Sequence, residues 1–330
     1  MPKKKNRLGK IVIIILLLLA VVIASGVSYL KLAKPNVGPP PEIHVKNTQA
    51  LVERGRYMAM HVMACMDCHS TRNFSQFAGP MVEGTLGKGG DRFGPEMGFP
   101  GTFYARNITP AGLKDWTDGE IFRAITTGVT KGGEPIFPVM PYHAYGHADS
   151  IDVIAVIAYL RSIPAIENKV PASKADFPVN LIMRTMPVKA SLQAKPDTTN
   201  QLAYGKYLVT VAACQDCHTR VDDKGAAIAG TEFGGGRKFP MPGGDIASAN
   251  ITSDVSTGLG GWTEASFLSR FAQYRNANAA HRAVNPNEFN SIMPWTMYAG
   301  MKDSDLKAIF AYLKTLKPIA NQVIKFTPKS

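Results

Sequence analysis

The sequence predicts an all-α protein in which two copies of one domain follow an N-terminal transmembrane helix. Residues 11–30 form an uncharged apolar run, and a set of short motifs recurs at nearly constant spacing along the rest of the chain. The polar-apolar alternation that indicates β-strands is almost absent. A length of 330 residues and a hydrophobic fraction of 45% are typical of a folded protein with two domains.

The N-terminal segment has the length and composition of a membrane span. Ile11–Leu30 reaches roughly 30 Å as a helix, which is the thickness of the hydrocarbon core. The basic residues before it should stay in the cytoplasm and place the body on the periplasmic side of the bacterial cytoplasmic membrane. The alternative is a cleaved signal peptide, because Ala24, Ser25, Gly26 and Ser28 are small enough for a cleavage site. Both interpretations export the body, and the length of the run favours the anchor.

The net charge of +12 resides largely in the N-terminus. Seven basic residues and no acidic residue occur in the first 34 positions: Lys3, Lys4, Lys5, Arg7, Lys10, Lys31 and Lys34. The remaining chain has 30 basic and 25 acidic residues, a net charge of +5, and no basic stripe with interleaved aromatic residues, so we expect no nucleic-acid partner.

Four cysteines form two identical patterns, each with two intervening residues and a following histidine. This pattern attaches c-type haem: two thiols on one helical turn reach two vinyl groups of the porphyrin, and the histidine binds the iron. We therefore predict two covalent haem c groups. Their predicted thioether residues and proximal ligands are Cys65, Cys68 and His69 in the first motif and Cys214, Cys217 and His218 in the second.

Three other uses of paired cysteines compete with haem attachment. Two disulfides are the usual arrangement in an exported protein. Two pairs can also form a four-cysteine zinc site, or each can be a thioredoxin-like redox pair. None of these explains a histidine directly after both pairs.

The two motifs lie within a longer repeat. Motifs in the first copy are matched 143 to 153 residues later, which indicates tandem duplication. The matched segments are Gly55-Arg56-Tyr57 with Gly205-Lys206-Tyr207, Asn107-Ile108-Thr109 with Asn250-Ile251-Thr252, Trp116-Thr117 with Trp262-Thr263, Met140-Pro141-Tyr142 with Met293-Pro294-Trp295, and Ala158-Tyr159-Leu160 with Ala311-Tyr312-Leu313.

The repeat divides the chain into six parts. They are a cytoplasmic basic end with the transmembrane anchor (1–34), a Pro-containing stalk (35–49), a first domain (50–165), a linker (166–200), a second domain (201–320) and a tail (321–330). We expect each first helix to pack on the last helix of its own domain, Tyr57 against Tyr159 and Tyr207 against Tyr312.

Helix-capping signals are predicted at equivalent places in both copies. Thr117 and Glu120 have the spacing of a capping box, whereas Ser266 replaces the glutamate after Thr263 and predicts an incomplete box. The final helices are predicted over 151–162 and 305–316. Asp149 or Ser150 would cap the first of these helices, and Asp303 or Ser304 the second.

The repeat also selects the second iron ligands. Of the 14 methionines, only Met140 and Met293 occupy equivalent positions, and both precede proline. Methionine is a common distal ligand in cytochromes c, so we predict these two. His143 is the alternative in the first copy, although the second copy has Thr296 at that position.

Both copies resemble class I cytochrome c domains, and more closely those of cytochrome subunits of bacterial membrane-bound alcohol and gluconate dehydrogenases. The resemblance is carried by Gly55-Arg56-Tyr57, Phe77-Ala78-Gly79, Asn107-Ile108-Thr109-Pro110, Trp116-Thr117-Asp118, Met140-Pro141-Tyr142, Ala158-Tyr159-Leu160, Gly258-Leu259-Gly260 and Met293-Pro294-Trp295. It implies an all-α tandem pair of such domains, with His/Met haems that pass electrons outside the membrane. Those subunits look like three-haem proteins, whereas this chain has two motifs.

The leading hypothesis is a membrane-anchored dihaem electron carrier and not an enzyme. Its expected redox partners are a quinol-oxidising complex or dehydrogenase as donor and a terminal oxidase or soluble carrier as acceptor. The alternatives are a haem enzyme such as a dihaem peroxidase, which needs an open coordination position, and the cytochrome subunit of a membrane-bound dehydrogenase.

Overall fold

The computed structural model describes residues 7–276, 281–285 and 287–329. The predicted basic residues Lys3, Lys4 and Lys5, and Ser330 at the end of the predicted tail, lie outside the described residues.

The described chain is built from helices joined by long loops, with short strands in each copy. The α-helices are α1 (Arg7–Leu32), α2 (Gln49–Tyr57), α3 (Cys65–Cys68), α4 (Pro110–Leu113), α5 (Asp118–Thr127), α6 (Tyr142–Tyr145), α7 (Ser150–Ser162), α8 (Val179–Ile182), α9 (Gln201–Val211), α10 (Cys214–His218), α11 (Glu264–Ala272), α12 (Trp295–Tyr298) and α13 (Asp303–Leu313). A π-helix, Met58–Val62, continues α2, and 3₁₀ turns occupy Pro95–Met97, Met183–Thr185 and Gln273–Arg275.

Helix α1 contains the apolar run predicted to cross a membrane. Within it, Gly9–Leu32 is long and apolar enough to span a bilayer, and its side chains are exposed rather than packed on the body. A core helix of a soluble protein would bury such residues, so the exposure agrees with a membrane span or a signal sequence.

The segment predicted as a stalk lies against the first copy of the repeat. The Val45 amide donates a 2.9 Å hydrogen bond to the Asp118 carboxylate at the start of α5. The Pro41 carbonyl lies so close to Gly119 that a Cβ there would overlap it. The predicted stalk therefore contacts the body at Pro41 and Val45.

In each copy, the first long helix packs on the last one, as the repeat predicted. Helix α2 contacts α7, and α9 contacts α13. A Cβ on Gly55 would overlap the Ala155 carbonyl, and a Cβ on Gly205 would overlap that of Ala308. The absence of a side chain at these two glycines allows the helix backbones to cross in contact, which accounts for the shared Gly-Arg/Lys-Tyr motif.

Two small antiparallel sheets correct the all-α expectation. The strands are β1 (Arg92–Phe93), β2 (Gly101–Tyr104), β3 (Lys174–Ala175), β4 (Lys238–Met241), β5 (Gly244–Ala247) and β6 (Phe326–Pro328), paired in the orders β1-β2-β3 and β4-β5-β6. Strand β3 comes from the predicted linker and pairs Ala175 with Gly101, whereas β6 comes from the predicted tail and pairs Pro328 with Gly244. These strands of two to four residues are too short for a period-two pattern to be visible.

The capping predictions were confirmed in part. Thr117 and Glu120 form the predicted box, and Asp149 caps α7 by accepting from the Ile151 amide at 2.7 Å. The prediction of an incomplete second box was wrong. The Ser266 hydroxyl accepts from the Thr263 amide at 3.0 Å, and Thr263 accepts from the Ser266 amide at 3.1 Å. A hydroxyl oxygen can thus take the acceptor role of the glutamate.

The prediction of Asp303 or Ser304 as cap of the last helix was also wrong. Helix α13 begins at Asp303 with Lys302 at its N-cap position and no side-chain cap. The Lys302 amide donates instead to the Tyr57 hydroxyl of the first copy, at 3.1 Å.

The two copies make reciprocal contacts through equivalent residues. Tyr57 donates to Asp305 and Tyr207 donates to Asp152, each at 2.6 Å. Both carboxylates are almost inaccessible to solvent. The structure therefore directs these tyrosine hydroxyls to the opposite copy, which the sequence prediction of packing within each copy did not include.

Candidate haem-attachment sites

Each cysteine pair lies on a short helix that starts after a left-handed residue. Ala64 and Ala213 have φ of 47° and 53°, and they separate the entry helices from α3 and α10. Such a φ is uncommon for a residue with a Cβ. The same deviation at equivalent positions sets the direction of both Cys helices relative to the entry helices.

Both motif histidines are oriented by a backbone carbonyl. His69 Nδ1 lies 2.7 Å from the Arg106 carbonyl oxygen, and His218 Nδ1 lies 2.7 Å from that of Ala249. An Nδ1–H that donates to the carbonyl leaves the lone pair on Nε2, the nitrogen available to a metal. Burial lowers the pKa of both imidazoles, which favours this neutral form.

Two glycines support these histidines, and the sequence-based prediction missed them. Gly89 and Gly235 have φ of 71° and 69°, and their amides donate to the His69 and His218 carbonyls, each at 2.8 Å. A Cβ on either would overlap the carbonyl group that orients the histidine of its own copy. Their similar spacing from the motifs, 20 and 17 residues after the histidines, was the available signal.

No disulfide joins any of the four cysteines. The surrounding protein raises the pKa of Cys65, Cys68 and Cys214 to about 12 by removing water from the thiolate. A thioredoxin-like pair needs the opposite shift. Across the described ranges, no group of three or more His, Cys, Asp and Glu side chains is placed to hold a metal ion, so no zinc site joins the two pairs there.

The segments that carry the predicted distal methionines are tied to the Cys segments. The Tyr145 hydroxyl on α6 donates to the Met63 carbonyl at 2.8 Å, and the Tyr298 hydroxyl on α12 donates to the Ala212 carbonyl at 3.0 Å. Met63 and Ala212 lie two residues before the first cysteine of each motif. Each copy thus connects its Met-Pro segment directly to its Cys helix.

Met140 and Met293 are half-buried and share one backbone geometry. The Tyr142 amide donates to the Met140 carbonyl at 2.8 Å, and the Trp295 amide donates to the Met293 carbonyl at 2.7 Å. This tight turn around the proline fixes where the methionine leaves the backbone. A thioether, an imidazole and two thiols on connected segments are the donors that a c-type haem requires, so the residues of both copies fit that group.

His143, the alternative ligand, points to the other copy. Its Nε2 lies 2.9 Å from Asp216 Oδ2, between the two cysteines of the second motif. The equivalent Asp67 in the first motif is paired instead with Arg72 of its own copy at 3.0 Å, and both side chains are less than 10% exposed. The acidic residue of each motif therefore has a different partner, Arg72 in the first motif and His143 in the second.

A helical fold with two Cys-x-x-Cys-His helices and two connected Met-Pro segments is the plan of a c-type cytochrome. Residues 202–317, essentially the second copy, match the family model for cytochrome c. The resemblance to cytochrome c domains noted from the motifs is therefore confirmed.

The chain is similar to curated cytochromes of two kinds. It is 30% identical over 289 residues to the gluconate 2-dehydrogenase cytochrome c subunit of Pantoea cypripedii, and 28% identical over 289 residues to the quinone alcohol dehydrogenase cytochrome c subunit of Gluconacetobacter polyoxogenes. These alignments cover 81% and 82% of this chain but only 60% and 57% of the relatives. A diheme cytochrome c-type protein of Cereibacter sphaeroides is 27% identical over 310 residues, which are 91% of this chain and 97% of the relative.

Proposed function

We propose that this chain is a dihaem electron carrier held in the cytoplasmic membrane by helix α1, with both copies of the repeat in the periplasm. The observation that carries the proposal is the full duplication of the donor set: two thiols, one carbonyl-oriented histidine and one Met-Pro segment in each copy. Similarity over nearly the whole length of a diheme cytochrome supports the count of two.

The protein's residues would fill both axial coordination positions of each haem iron and keep each haem partly buried. Cys65, Cys68, Cys214 and Cys217 would form the thioether bonds, His69 and His218 the proximal ligands, and Met140 and Met293 the distal ligands. A bound haem supplies one-electron chemistry, and the protein tunes it through ligand type, hydrogen bonding and burial. The carbonyls of Arg106 and Ala249 would fix the imidazole planes and increase the electron density on Nε2.

Domain organisation follows the repeat in this proposal. A first cytochrome c domain (50–165) and a second (201–320) would each hold one haem, joined by the linker 166–200. The donor would be a quinol-oxidising complex or a dehydrogenase, and the acceptor an oxidase or a soluble carrier.

A second candidate is the cytochrome subunit of a membrane-bound dehydrogenase. It is favoured by similarity to subunits of gluconate and alcohol dehydrogenases, although the chain spans only 57–60% of their length. Purification of a tagged chain from its own membranes separates the two candidates. A stoichiometric dehydrogenase that stays bound through gel filtration supports the subunit, and isolation of the chain by itself supports the free carrier.

The carrier proposal is tested by absorption spectroscopy of the full-length protein, with haem counted as the pyridine haemochrome. We expect two haems per chain and a far-red methionine-to-iron band. About half of that band should be lost in Met140→Ala and about half in Met293→Ala, because each removes one of two equivalent ligands. Met81→Ala, a partly buried methionine without a counterpart in the second copy, is the matched control and should keep the band.

Two results of the same measurement would contradict the carrier proposal. One haem per chain contradicts the dihaem assignment. A high-spin ferric component, together with carbon monoxide binding after reduction, shows an open coordination position and supports a haem enzyme such as a peroxidase.

A further inference from the structure

Exposed apolar side chains lie on two elements that meet at the C-terminal end of helix α1. Tyr29 and Leu32 of α1 are 71% and 80% exposed, and Phe177 and Ile182 of the linker are 79% and 44% exposed. Single exposed apolar residues are ordinary on protein surfaces. These four are different because helix α8, which ends at Ile182, contacts α1, the helix with the composition of a membrane span.

Polar contacts fix this end of α1 to the body. Arg184, which follows α8, donates to the Ala33 carbonyl at 3.4 Å and pairs with Glu134 at 2.9 Å. The Lys34 side chain lies over Gly133 in the same loop, which leads to Met140. The linker and the loop of the first copy therefore meet where α1 would leave the bilayer.

We propose that linker residues 177–183 form a second membrane contact, with Phe177 and Ile182 inserted into the interfacial layer of the phospholipid bilayer that α1 crosses. The proposal rests on α1 being a retained membrane span. The uncharged run ends at Leu30, so Tyr29, Leu32 and the neighbouring α8 lie at the level of the headgroups and the outer end of the acyl chains.

The side chains in and around residues 177–183 are of types that favour the interfacial layer of a bilayer. Aromatic side chains favour the membrane interface, and a lysine or arginine beside them can meet an anionic headgroup. Lys31, Lys34 and Lys174 flank the apolar residues along the chain. Leu181 is buried in the protein, and the adjacent Ile182 is exposed, so the short helix has one face for the body and one for another partner.

The contact has a consequence for the first candidate haem site. Glu134 and Gly133 lie in the loop that ends at Met140; Glu134 pairs with Arg184, which directly follows the proposed contact segment, and Gly133 lies against Lys34, two residues after helix α1. The loop that carries Met140 would thereby be held close to the end of helix α1 that leaves the bilayer.

Photo-crosslinking from lipid tests this contact in the complete, haem-loaded chain. The protein is placed in nanodiscs of phosphatidylcholine and phosphatidylglycerol that contain a phospholipid with a diazirine close to the headgroup. Labelled peptides are identified by mass spectrometry after illumination. We expect label at the end of α1 and on the peptide that contains Phe177 and Ile182. Val255 and Ile324, which are 74% and 75% exposed, are the matched internal controls and should remain unlabelled.

A double variant makes the test sharper. Phe177→Ser with Ile182→Ser alters two exposed side chains, so the fold and the haem spectrum should be unchanged. We expect at least a roughly five-fold loss of label on the linker peptide with the α1 label retained, because both apolar side chains that would enter the interface are removed. The paired control, Val255→Ser with Ile324→Ser, should label like the parent.

Label confined to α1, or equal label at Val255 and Ile324, would overturn the linker contact. Absence of label on α1 as well would overturn the membrane span and the contact together. Haem content and the reversible reduction of the same sample report on the electron-carrier proposal independently of either outcome.

Discussion

Tyr57 donates a 2.6 Å hydrogen bond to Asp305, which lies 248 residues away in the other copy of the repeat. The same bond, with the copies exchanged, joins Tyr207 to Asp152. Burial and the hydrogen bond to the carboxylate raise the pKa of both tyrosines, which keeps each hydroxyl protonated as the donor. The two copies are thus joined by two equivalent buried hydrogen bonds, one in each direction.

We expect removal of either hydroxyl to destabilise the whole protein. Tyr57→Phe or Tyr207→Phe leaves a buried carboxylate oxygen without one of its donors, at a cost of about 1–3 kcal/mol in the free energy of unfolding. Thermal or denaturant unfolding followed at the haem and in the far ultraviolet measures this cost. Tyr29→Phe, an exposed tyrosine on α1, is the control and should unfold like the parent. Parental stability in both interface variants would contradict the role of these bonds.

Replacement of Asp152 or of Asp305 by asparagine should lower the free energy of unfolding by different amounts. Asp152 accepts two bonds from Arg54, at 2.8 and 2.7 Å, whereas Asp305 accepts from Tyr204 at 3.2 Å, at the position equivalent to Arg54. Asp152→Asn therefore leaves a largely buried guanidinium without its charge partner, and we expect a loss of roughly 2–4 kcal/mol. Asp305→Asn keeps an acceptor for both tyrosines and should cost about 1 kcal/mol. Equal losses, measured by the same unfolding experiment, would contradict this difference.

Alanine in place of Gly89 should affect the first haem site selectively. A left-handed φ costs alanine about 1–2 kcal/mol, and the added Cβ would also displace the Arg106 carbonyl that orients His69. We expect Gly89→Ala to lower the free energy of unfolding by more than the cost of the left-handed φ alone. It should also shift the reduction potential of one of the two waves in a redox titration. Gly84→Ala is the control, because Gly84 has a φ of 73° with open space around it.

The equivalent substitution in the second copy, Gly235→Ala, should shift the reduction potential of the other wave in the redox titration. Gly235→Ala is compared with Gly225→Ala, whose φ of 80° is also in open space. If Gly89→Ala and Gly235→Ala each behaved like its open-space control, the carbonyl would not be what positions the histidine.

The contact between His143 and Asp216 should make stability depend on pH. The hydrogen bond from His143 to Asp216 raises the pKa of the imidazole above its unfolded value. The stabilising contribution is therefore complete below the ordinary histidine pKa of about 6.5 and is lost as pH rises through the higher folded value. Both side chains are partly exposed, so the effect is expected to be under roughly 1 kcal/mol.

Comparison of His143→Gln with the parent at about pH 5.5 and about pH 8.5, on either side of the histidine pKa, measures this effect. The parent should be the more stable of the two at the lower pH, and the difference should shrink at the higher pH. His147→Gln, an exposed histidine four residues later, should show no such change. A difference that is the same at both pH values would indicate packing rather than ion pairing.

Features set by local chemistry were predicted from the sequence. Thr117 and Glu120 form their box because an N-cap depends on residues three apart, and the Gly55 and Gly205 motifs mark helices that do pack together. The histidine–carbonyl bonds could not be predicted, because the Arg106 and Ala249 carbonyls lie 37 and 31 residues from the histidines. Short strands such as β3 and β6 also depend on partners far away in the chain.

The reciprocal tyrosine–aspartate bonds have the form of an isologous dimer interface, in which one patch binds an identical patch across a two-fold axis. Here the two subunits are joined in a single polypeptide, so their association is intramolecular and independent of protein concentration. A single polypeptide can also carry different residues at equivalent positions of its two halves, as it does with Arg54 and Tyr204. A symmetric pair of identical subunits would be unable to hold a different residue at each of two equivalent positions.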